Sequence, residues 1–469
     1  MAVPLLAVSA EPLVTDAVLG DEADILLRSL GQLRGIPARG ALPRQLLGPA
    51  ELRAEMNAIV ARHDFPAERE TTRLIGARLG LLPAGSGYSP LLADALGAQP
   101  GSFYDPLSRR LYVPNWIDLP NQRIALAHEL AHALCDQRFG LRRVLGLDDG
   151  ARPGRESNSD RRRARQALIE GDAATLTLEL FDPKGALLSA RELSALVQRL
   201  RVAAAAAPPA AAATDAGPPP PPPLVRQLLA FPAVEGLAFV GRVRNRQPWT
   251  AIDAIWARPP DSTEQILHPE KYDRGEPPVI IEVAPLPALA PGHRLAGTDT
   301  LGELMVRLWL ARSTSAAVAE RAAEGWAGDR IAVYVPAGAA SATSKAATPT
   351  EAVLAWLTVW DSAADAEDFA ITAAEVLAAL SSPTTPPSQD TEPQSSSPVV
   401  FRDADGKLFA LARRADRVAL LLGAPEPAVA ALDQMLTQWR VPGPPQAPAK
   451  LKPPAPAPTK PPPRPRPRR

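Results

Sequence analysis

The stretch AHELAHA, residues 127–133, lies in an apolar run of the chain and contains the pattern HExxH. On an α-helix, His128 and His132 lie one turn apart on the same face, so both imidazoles can reach one metal ion. Glu129 projects beside them, where its carboxylate could take a proton from a metal-bound water. With five His and 51 acidic residues in 469, chance would give this spacing in fewer than about one chain in a hundred. The pattern therefore predicts a metal-binding helix.

A second predicted helix carries the sequence ALIEGDAA at residues 167–174. A catalytic zinc site takes three protein ligands and leaves one position for water, and a carboxylate from a neighbouring helix can be the third. Glu170 is the best candidate, because an acid in an apolar helical face is costly to bury without a cation. The alternative is an acid on the helix surface, or one that pairs with the basic run at 161–165.

HELAHAL followed by a helix bearing EGDA resembles the gluzincin group of zinc metallopeptidases, whose third ligand is a helical Glu. The resemblance implies that His128, His132 and Glu170 bind Zn²⁺ and that Glu129 is the general base. Thermolysin-like members usually have ExxxD, in which the Asp orients a ligand His, but this chain has Ala174 at that position. The orienting role is therefore not inherited through that residue.

Two other acids near the motif are candidates for contacts behind the metal ligands. Asp136 lies one turn beyond His132 on the same helical face and could hydrogen-bond a ligand imidazole. It could equally cap or solvate the end of the helix. Asp172 is close in sequence to Glu170, but it is too far around the helix to replace the missing acid simply.

Residues 103–114, FYDPLSRRLYVP, predict a β-hairpin just before the motif helix, because aromatic and β-branched residues flank a turn opened by Asp-Pro. In zinc peptidases of the HExxH type, an edge strand near the metal commonly aligns extended substrate by backbone pairing. The resemblance implies that role for this hairpin. Ordinary core strands are an equally good interpretation of the same sequence.

The segment TEQILHPEKY at residues 263–272 places a His and a Tyr together before a Pro-rich turn. HELAHAL, EGDA and TEQILHP together resemble a group of uncharacterised bacterial and archaeal metallopeptidase-like proteins, over about residues 104–272. The resemblance implies that His268 or Tyr272 donates a hydrogen bond to the oxyanion of the tetrahedral intermediate. The alternative is a helix-terminating His-Pro with an exposed Tyr.

The pattern of elements predicts an α+β protein with a helix-rich, zincin-like metallopeptidase core and a small mixed or antiparallel sheet region. Residues 1–204 hold the N-terminal helices, the hairpin and the zinc-site helices. Residues 205–223 are an Ala/Pro-rich low-complexity insertion, and 224–440 continue the core to about 275 before an accessory α+β region. Residues 382–398 predict a disordered loop, and 441–469 a disordered Pro/Arg-rich tail.

The accessory region alternates β-like runs with helical ones. Strand, strand, helix repeated twice predicts a small sheet with helices on one face, in a ferredoxin-like manner. Predicted strands are 279–283, 331–335, 353–359, 399–401, 408–413 and 418–422, and predicted helices are 300–311, 363–380 and 427–439.

The composition of the chain bears on its partners, its disulfides and its location in the cell. Basic and acidic residues balance at 51 each, so no specific nucleic-acid site is expected, although the basic tail could contact an anionic surface. A single Cys excludes an intrachain disulfide, and no stretch reads as a transmembrane segment. VSA at residues 8–10 resembles a signal-peptidase site without a basic n-region, which predicts an envelope or secreted protein if the signal is truncated and a cytoplasmic one otherwise.

These patterns predict a zinc-dependent metallopeptidase that acts on a peptide or protein substrate, with Glu129 as general base. One alternative is a non-catalytic envelope binding or scaffold protein that retains a structural zinc site. Such a site needs the ligands but not the base, so the intact Glu129 favours the enzyme. Another alternative is an interaction protein that acts mainly through its Pro-rich, basic tail.

Overall fold

The computed structural model describes residues 13–63, 66–83, 86–97, 101–147, 157–182, 189–206, 221–289, 292–338, 347–381 and 398–441. Helices and two β-sheets make up these residues, so the predicted α+β class is confirmed. Four sequence-based expectations lie wholly or mostly outside the described residues: the segment at 1–10, the insertion at 205–223, the loop at 382–398 and the tail at 441–469.

The first part of the chain is mostly helical in the residues that the structure describes. They are α1 (Asp16–Arg34), α2 (Pro49–His63), α3 (Pro66–Arg78), α4 (Tyr88–Gly97), α5 (Leu119–Phe139), α6 (Leu141–Val144), α7 (Ser159–Phe181), α8 (Ala190–Ala205), α9 (Pro223–Arg244), α10 (Trp249–Ala257), α11 (Thr263–Leu267) and α12 (Pro269–Arg274). The motif helix α5 begins at an N-cap, Asp118, whose side chain accepts the Asn121 N–H, and ends at Gly140 with a φ of 74°. Both are common helix signals, a capping acid and a left-handed glycine.

A small mixed sheet lies beside α5. Its strands are β1 (Arg44–Leu47), β2 (Phe103–Asp105) and β3 (Arg110–Pro114), in the order β1-β3-β2. β2 and β3 pair antiparallel, which confirms the predicted hairpin, and β1 joins β3 in parallel. β2 is therefore the edge strand of this sheet, and it packs on α5.

The second sheet is antiparallel and six-stranded, in the order β4-β5-β6-β9-β8-β7. Its strands are β4 (His293–Asp299), β5 (Trp326–Pro336), β6 (Val353–Trp360), β7 (Val399–Arg402), β8 (Leu408–Arg414) and β9 (Arg417–Ala424). The helices that follow or separate them are α13 (Gly302–Leu310), α14 (Ala316–Ala323), α15 (Ala363–Ser381) and α16 (Ala431–Gln438), with a 3-10 turn at Glu426–Ala430. Five of the six predicted strands lie within these strands.

The expectation of helices on one face of this sheet is wrong, because both faces are covered. Every residue of β6 is buried, and successive side chains enter different cores. Trp356 packs with Trp309 of α13 and Phe369 of α15, whereas Leu357 belongs to the cluster that contains Leu432 of α16. The run at 279–283, predicted as a strand, forms no regular strand: it has an isolated bridge between Glu282 and Arg440 and one hydrogen bond from the Val279 N–H to the Ala327 oxygen of β5 at 2.7 Å. It lies over the sheet instead of extending it, since Ile281 is buried in the α16-side core.

Helices α7 and α9 cross with their backbones in contact. A Cβ built on Gly171 would lie 2.1 Å from the Gly236 carbonyl oxygen, and one built on Gly236 would lie 2.0 Å from the Ala167 oxygen. Only glycine allows so close an approach, because any side chain would force the helices apart. α9 therefore fixes the position of the part of α7 that carries Glu170.

The sequence analysis expects no stretch long and apolar enough to span a membrane. Helix α9 does not follow that expectation, because it has both the length and the apolar composition of a membrane span. In this fold, 61% of the most apolar 18-residue stretch of α9 is buried. Buried residues of α9 such as Val225 and Phe239 lie in the same core as Leu168 of α7. A core helix of a globular domain has the same composition as a membrane span, and its burial accounts for the apolar residues here.

The helical part and the second sheet share one core. Residues of α5, α7 and α9 belong to the same apolar cluster as Trp309, Trp326 and Trp356. The start of α7 is bound directly to the end of β4: the Ser159 N–H donates to the Asp299 Oδ1 at 2.9 Å, and the Asp160 N–H to the Thr300 oxygen at 3.1 Å. α7 thus runs from the sheet into the region of the HExxH motif.

Candidate metal centre

Three helical side chains converge next to β2. The ligand-type atoms of His128, Glu129 and His132 all lie within 4.8 Å of one another. Glu170 reaches across from α7, with its Oε2 3.0 Å from the His128 Nε2 and its Oε1 3.5 Å from the His132 Nε2. No second group of three such side chains comes this close elsewhere in the part of the chain that the structure describes.

The donor set could hold a metal ion. Ligands at about 2.0–2.2 Å in a tetrahedron are roughly 3.3–3.6 Å apart. The two distances from the Glu170 carboxylate to the imidazole nitrogens, 3.0 and 3.5 Å, are close to that spacing. Two imidazole nitrogens and one carboxylate are three of the four ligands that a tetrahedral metal site takes.

The two glutamates of the site have different surroundings. Both oxygens of Glu170 face imidazole nitrogens, so either oxygen could share a metal ion with them. One oxygen of Glu129, the Oε2, accepts the Tyr104 backbone N–H at 2.7 Å. The geometry therefore favours Glu170 as the third ligand and Glu129 as a base held beside the metal position.

Burial and neighbouring charges shift the pKa values of these two acids in opposite directions. Burial raises the pKa of Glu129 above its ordinary value, although the nearby His132 and His128 act against that increase. Burial would also raise the pKa of Glu170, but the attraction and hydrogen bonds of His132 and His128 hold it well below its usual range. Burial opposes a charge on His132, yet Glu170 raises its pKa to about 9. Binding a metal ion must displace that proton, so metal affinity depends on pH.

Tyr104 connects the edge strand to the motif helix at two points. Its backbone N–H points away from β3 to Glu129, and its phenol Oη donates to the Asp136 Oδ2 at 2.7 Å. The hairpin is thus at the edge next to the site, as the substrate-alignment hypothesis requires. However, the outward N–H of Tyr104 is already used by Glu129 and is not free for a substrate carbonyl.

The side chain of Asp136 is hydrogen-bonded to the edge strand β2 and not to an imidazole of the motif. Besides Tyr104, its Oδ1 accepts the Leu141 N–H at 2.7 Å, just past the end of α5. The capping alternative accounts for the second bond. The Nδ1 of His132 is buried and has no hydrogen-bond partner among the described residues, so neither Asp136 nor Asp172 holds it.

Asp172 belongs to a buried ion pair on the opposite side of α7. It accepts from Nε and Nη2 of Arg34 at 3.1 and 3.0 Å, and from the Trp256 Nε1 at 2.6 Å. Arg34 also pairs with Asp253 at 2.8 Å. Since Arg34 and Asp172 are fully buried, this pair fixes α1, α7 and α10 against one another.

The structure does not bring His268 and Tyr272 into the cluster by any hydrogen bond among the described residues. The Nε2 of His268 lies 2.9 Å from Glu303 and 3.2 Å from Arg307. Tyr272 is buried and not exposed, and its hydroxyl donates to the Arg258 carbonyl oxygen at 2.8 Å. Both side chains serve the packing of α12 against its neighbours, and no donor for an oxyanion is evident from either.

Tyr104 is the site residue that the sequence does not single out. An aromatic residue in a strand is typical of a packed sheet, and nothing in FYDP distinguishes a phenol that contacts a distant helix. The signal is visible only once β2 and α5 are adjacent.

Comparison with known proteins finds a match for only part of the chain. Residues 292–435 match the model of a family described as a domain of unknown function, DUF8575. The match covers the six-stranded sheet and its helices, less than half of the chain, and leaves out the HExxH and EGDA segments. No curated protein and no solved structure matches the chain.

Proposed function

We propose that this chain is a zinc-dependent metallopeptidase with a gluzincin-type centre in a zincin-like helical core. The observation that carries the proposal is the position of Glu170, whose two oxygens face the Nε2 atoms of His128 and His132. A salt-bridged surface acid would not need two histidines on one face of a separate helix. Glu129 on that same helix supplies the base that a purely structural site would not require.

His128, His132 and Glu170 would hold the metal. A bound zinc ion acts as a Lewis acid that polarises the peptide carbonyl and lowers the pKa of the attacking water. Glu129 accepts a proton from that water as the new carbon–oxygen bond forms. It then delivers the proton to the nitrogen as the carbon–nitrogen bond breaks, so the products are a carboxylic acid and an amine.

The N–H of Tyr104 orients the Glu129 carboxylate through one oxygen, which leaves the other oxygen for the proton transfer. Burial raises the pKa of Glu129 above its ordinary value, which makes its carboxylate a better proton acceptor than an exposed one. Peptide or protein is the substrate class that this chemistry implies. The basic tail lies outside the described residues, and its contact with an anionic surface stays a prediction.

Two variants test the proposal. Glu129→Gln keeps the metal ligands, so we expect one zinc per chain by metal analysis and no cleavage of a peptide library. Glu170→Ala removes a ligand, so we expect both zinc and cleavage to be lost. Cleavage that persists in Glu129→Gln would overturn the mechanism. Wild-type chain that holds zinc but cleaves no peptide would favour a binding or scaffold protein with a structural zinc.

A further inference from the structure

We propose that Asp136 and Tyr104 form a positioning pair for Glu129, in which Asp136 fixes the Tyr104 side chain and thereby the backbone N–H that orients the Glu129 carboxylate. This inference rests on the proposed peptidase function. It assigns Asp136 a task that differs from the orientation of a ligand imidazole. It also makes Tyr104 a residue of the site.

The spacing on α5 makes such a pair possible. Glu129 and Asp136 are seven residues apart, which is close to two helical turns, so they lie on the same face about 10 Å apart along the axis. Tyr104 spans this distance with a single residue. Its N–H reaches Glu129 at 2.7 Å, and its hydroxyl reaches Asp136 at 2.7 Å.

Asp136 is built to hold that phenol firmly. Its side chain is 2% exposed, so each of its oxygens needs a donor from the protein. The Oδ1 takes the Leu141 N–H and the Oδ2 takes the Tyr104 hydroxyl. Loss of the phenol would leave a buried carboxylate oxygen without its closest donor, and that costs more than the loss of one exposed hydrogen bond.

The rest of the hairpin is directed to the same carboxylate. Arg109 in the β2–β3 turn adopts a left-handed φ of 52°, which is uncommon for a residue other than glycine. Its Nε lies 3.7 Å from the Asp136 Oδ2, although the side chain is otherwise mostly exposed. Asp105 accepts the N–H groups of Leu107 and Ser108 and stiffens the turn. Asp136 therefore holds the centre of β2 by a hydrogen bond, and Arg109 brings the turn close to the same carboxylate.

A pair that acts on the base predicts a different kinetic result from a pair that acts on the metal ligands. The three ligand side chains have no hydrogen bond to Tyr104 or Asp136 among the described residues, so zinc binding does not depend on the pair. The Glu129 carboxylate does depend on it. We therefore expect loss of the pair to lower kcat, to change KM little and to leave zinc bound.

The test uses full-length, zinc-loaded protein with Tyr104→Phe, Asp136→Asn and the double variant. We expect kcat to fall about 10- to 100-fold in Tyr104→Phe, with KM within about twofold and one zinc per chain. The double variant should be no slower than the slower single variant, because both changes break one chain of contacts. Tyr334→Phe is the matched control, since this buried phenol lies in the six-stranded sheet. Wild-type kcat in Tyr104→Phe, zinc loss in parallel with activity, or fully additive effects would overturn the proposal.

A second measurement does not need activity. Hydrogen exchange of the amides at residues 103–105 reports the Tyr104 N–H bond to Glu129 directly. We expect Asp136→Asn and Tyr104→Phe to speed this exchange by about tenfold or more while α5 stays protected. Unchanged exchange in the variants would refute the pair even if the wild type cleaves no peptide. Faster exchange in the variants, together with a wild type that cleaves no peptide, would refute only the peptidase function.

Discussion

Gly236→Ala tests whether the α7–α9 crossing positions the metal site. The new Cβ would lie 2.0 Å from the Ala167 carbonyl oxygen and 2.9 Å from the Gly171 nitrogen. Contacts of a real Cβ below 3.0 Å essentially do not occur, so the helices must separate by about 1 Å. Because the neighbouring atoms belong to a helix backbone, no side-chain rotation can relieve the overlap.

The cost follows from two opposing effects. Overpacking of this kind costs about 1–3 kcal/mol, and rigid backbone on both sides favours the upper end. Alanine stabilises a helix interior by about 1 kcal/mol relative to glycine. We expect Gly236→Ala to lower the free energy of unfolding by about 2 kcal/mol. Gly241→Ala on the same helix meets only the side-chain end of Leu193, at 3.1 Å, and should be neutral or stabilising.

The separation of α7 and α9 should also displace Glu170, the proposed third metal ligand. Gly171, which contacts Gly236, follows Glu170 directly, and Glu170 contacts His128 at 3.0 Å. Metal ligands must be held to within about 0.5 Å, so we expect zinc affinity to fall at least about tenfold in Gly236→Ala. Zinc titration against a chelator and urea unfolding followed by tryptophan fluorescence measure the two effects. Equal zinc affinity and stability in Gly236→Ala and Gly241→Ala would refute the role of the crossing.

Two further predictions concern groups outside the cluster. Burial raises the pKa of Asp160 to about 7 although Thr263 donates to it, so its contribution to stability is complete below about pH 4 and is lost as the pH rises through 7. Asp160→Asn should flatten the fall in the free energy of unfolding between pH 5 and pH 8, and an unchanged slope in urea titrations would contradict this. Tyr272→Phe removes the bond to the Arg258 carbonyl and should cost about 1 kcal/mol of stability with kcat/KM within about twofold. A large loss of kcat in that variant would instead restore Tyr272 as an oxyanion donor.

Local signals were sufficient for the motif helix and for the acid that faces its two histidines. Asp118 and Gly140 mark the ends of α5 by their own chemistry, and Glu170 is unusual in its helix because its neighbours are apolar. The hairpin at 103–114 follows from its turn and its β-branched residues. Each of these features depends on residues close in sequence.

The remaining features depend on contacts between distant segments. The partner of Asp136 is on a strand 32 residues earlier, and no pattern in the helix distinguishes Tyr104 from an imidazole as its partner. β4 was missed because HRLAGTD has little apolar alternation and is stabilised by pairing with β5. His268 and Tyr272 looked available because their partners, Glu303 and Arg258, are supplied by the fold.

The family match begins inside a region that shares one apolar core. Its boundary at residue 292 falls between α12 and β4, yet the first turn of α7 is hydrogen-bonded to Asp299 and Thr300. The matched sheet packs in one apolar core with the helices that carry the proposed metal ligands. A protein that carried this sheet without the HExxH and EGDA helices would lack the proposed metal ligands, so the shared sheet and the proposed chemistry are independent properties of the chain.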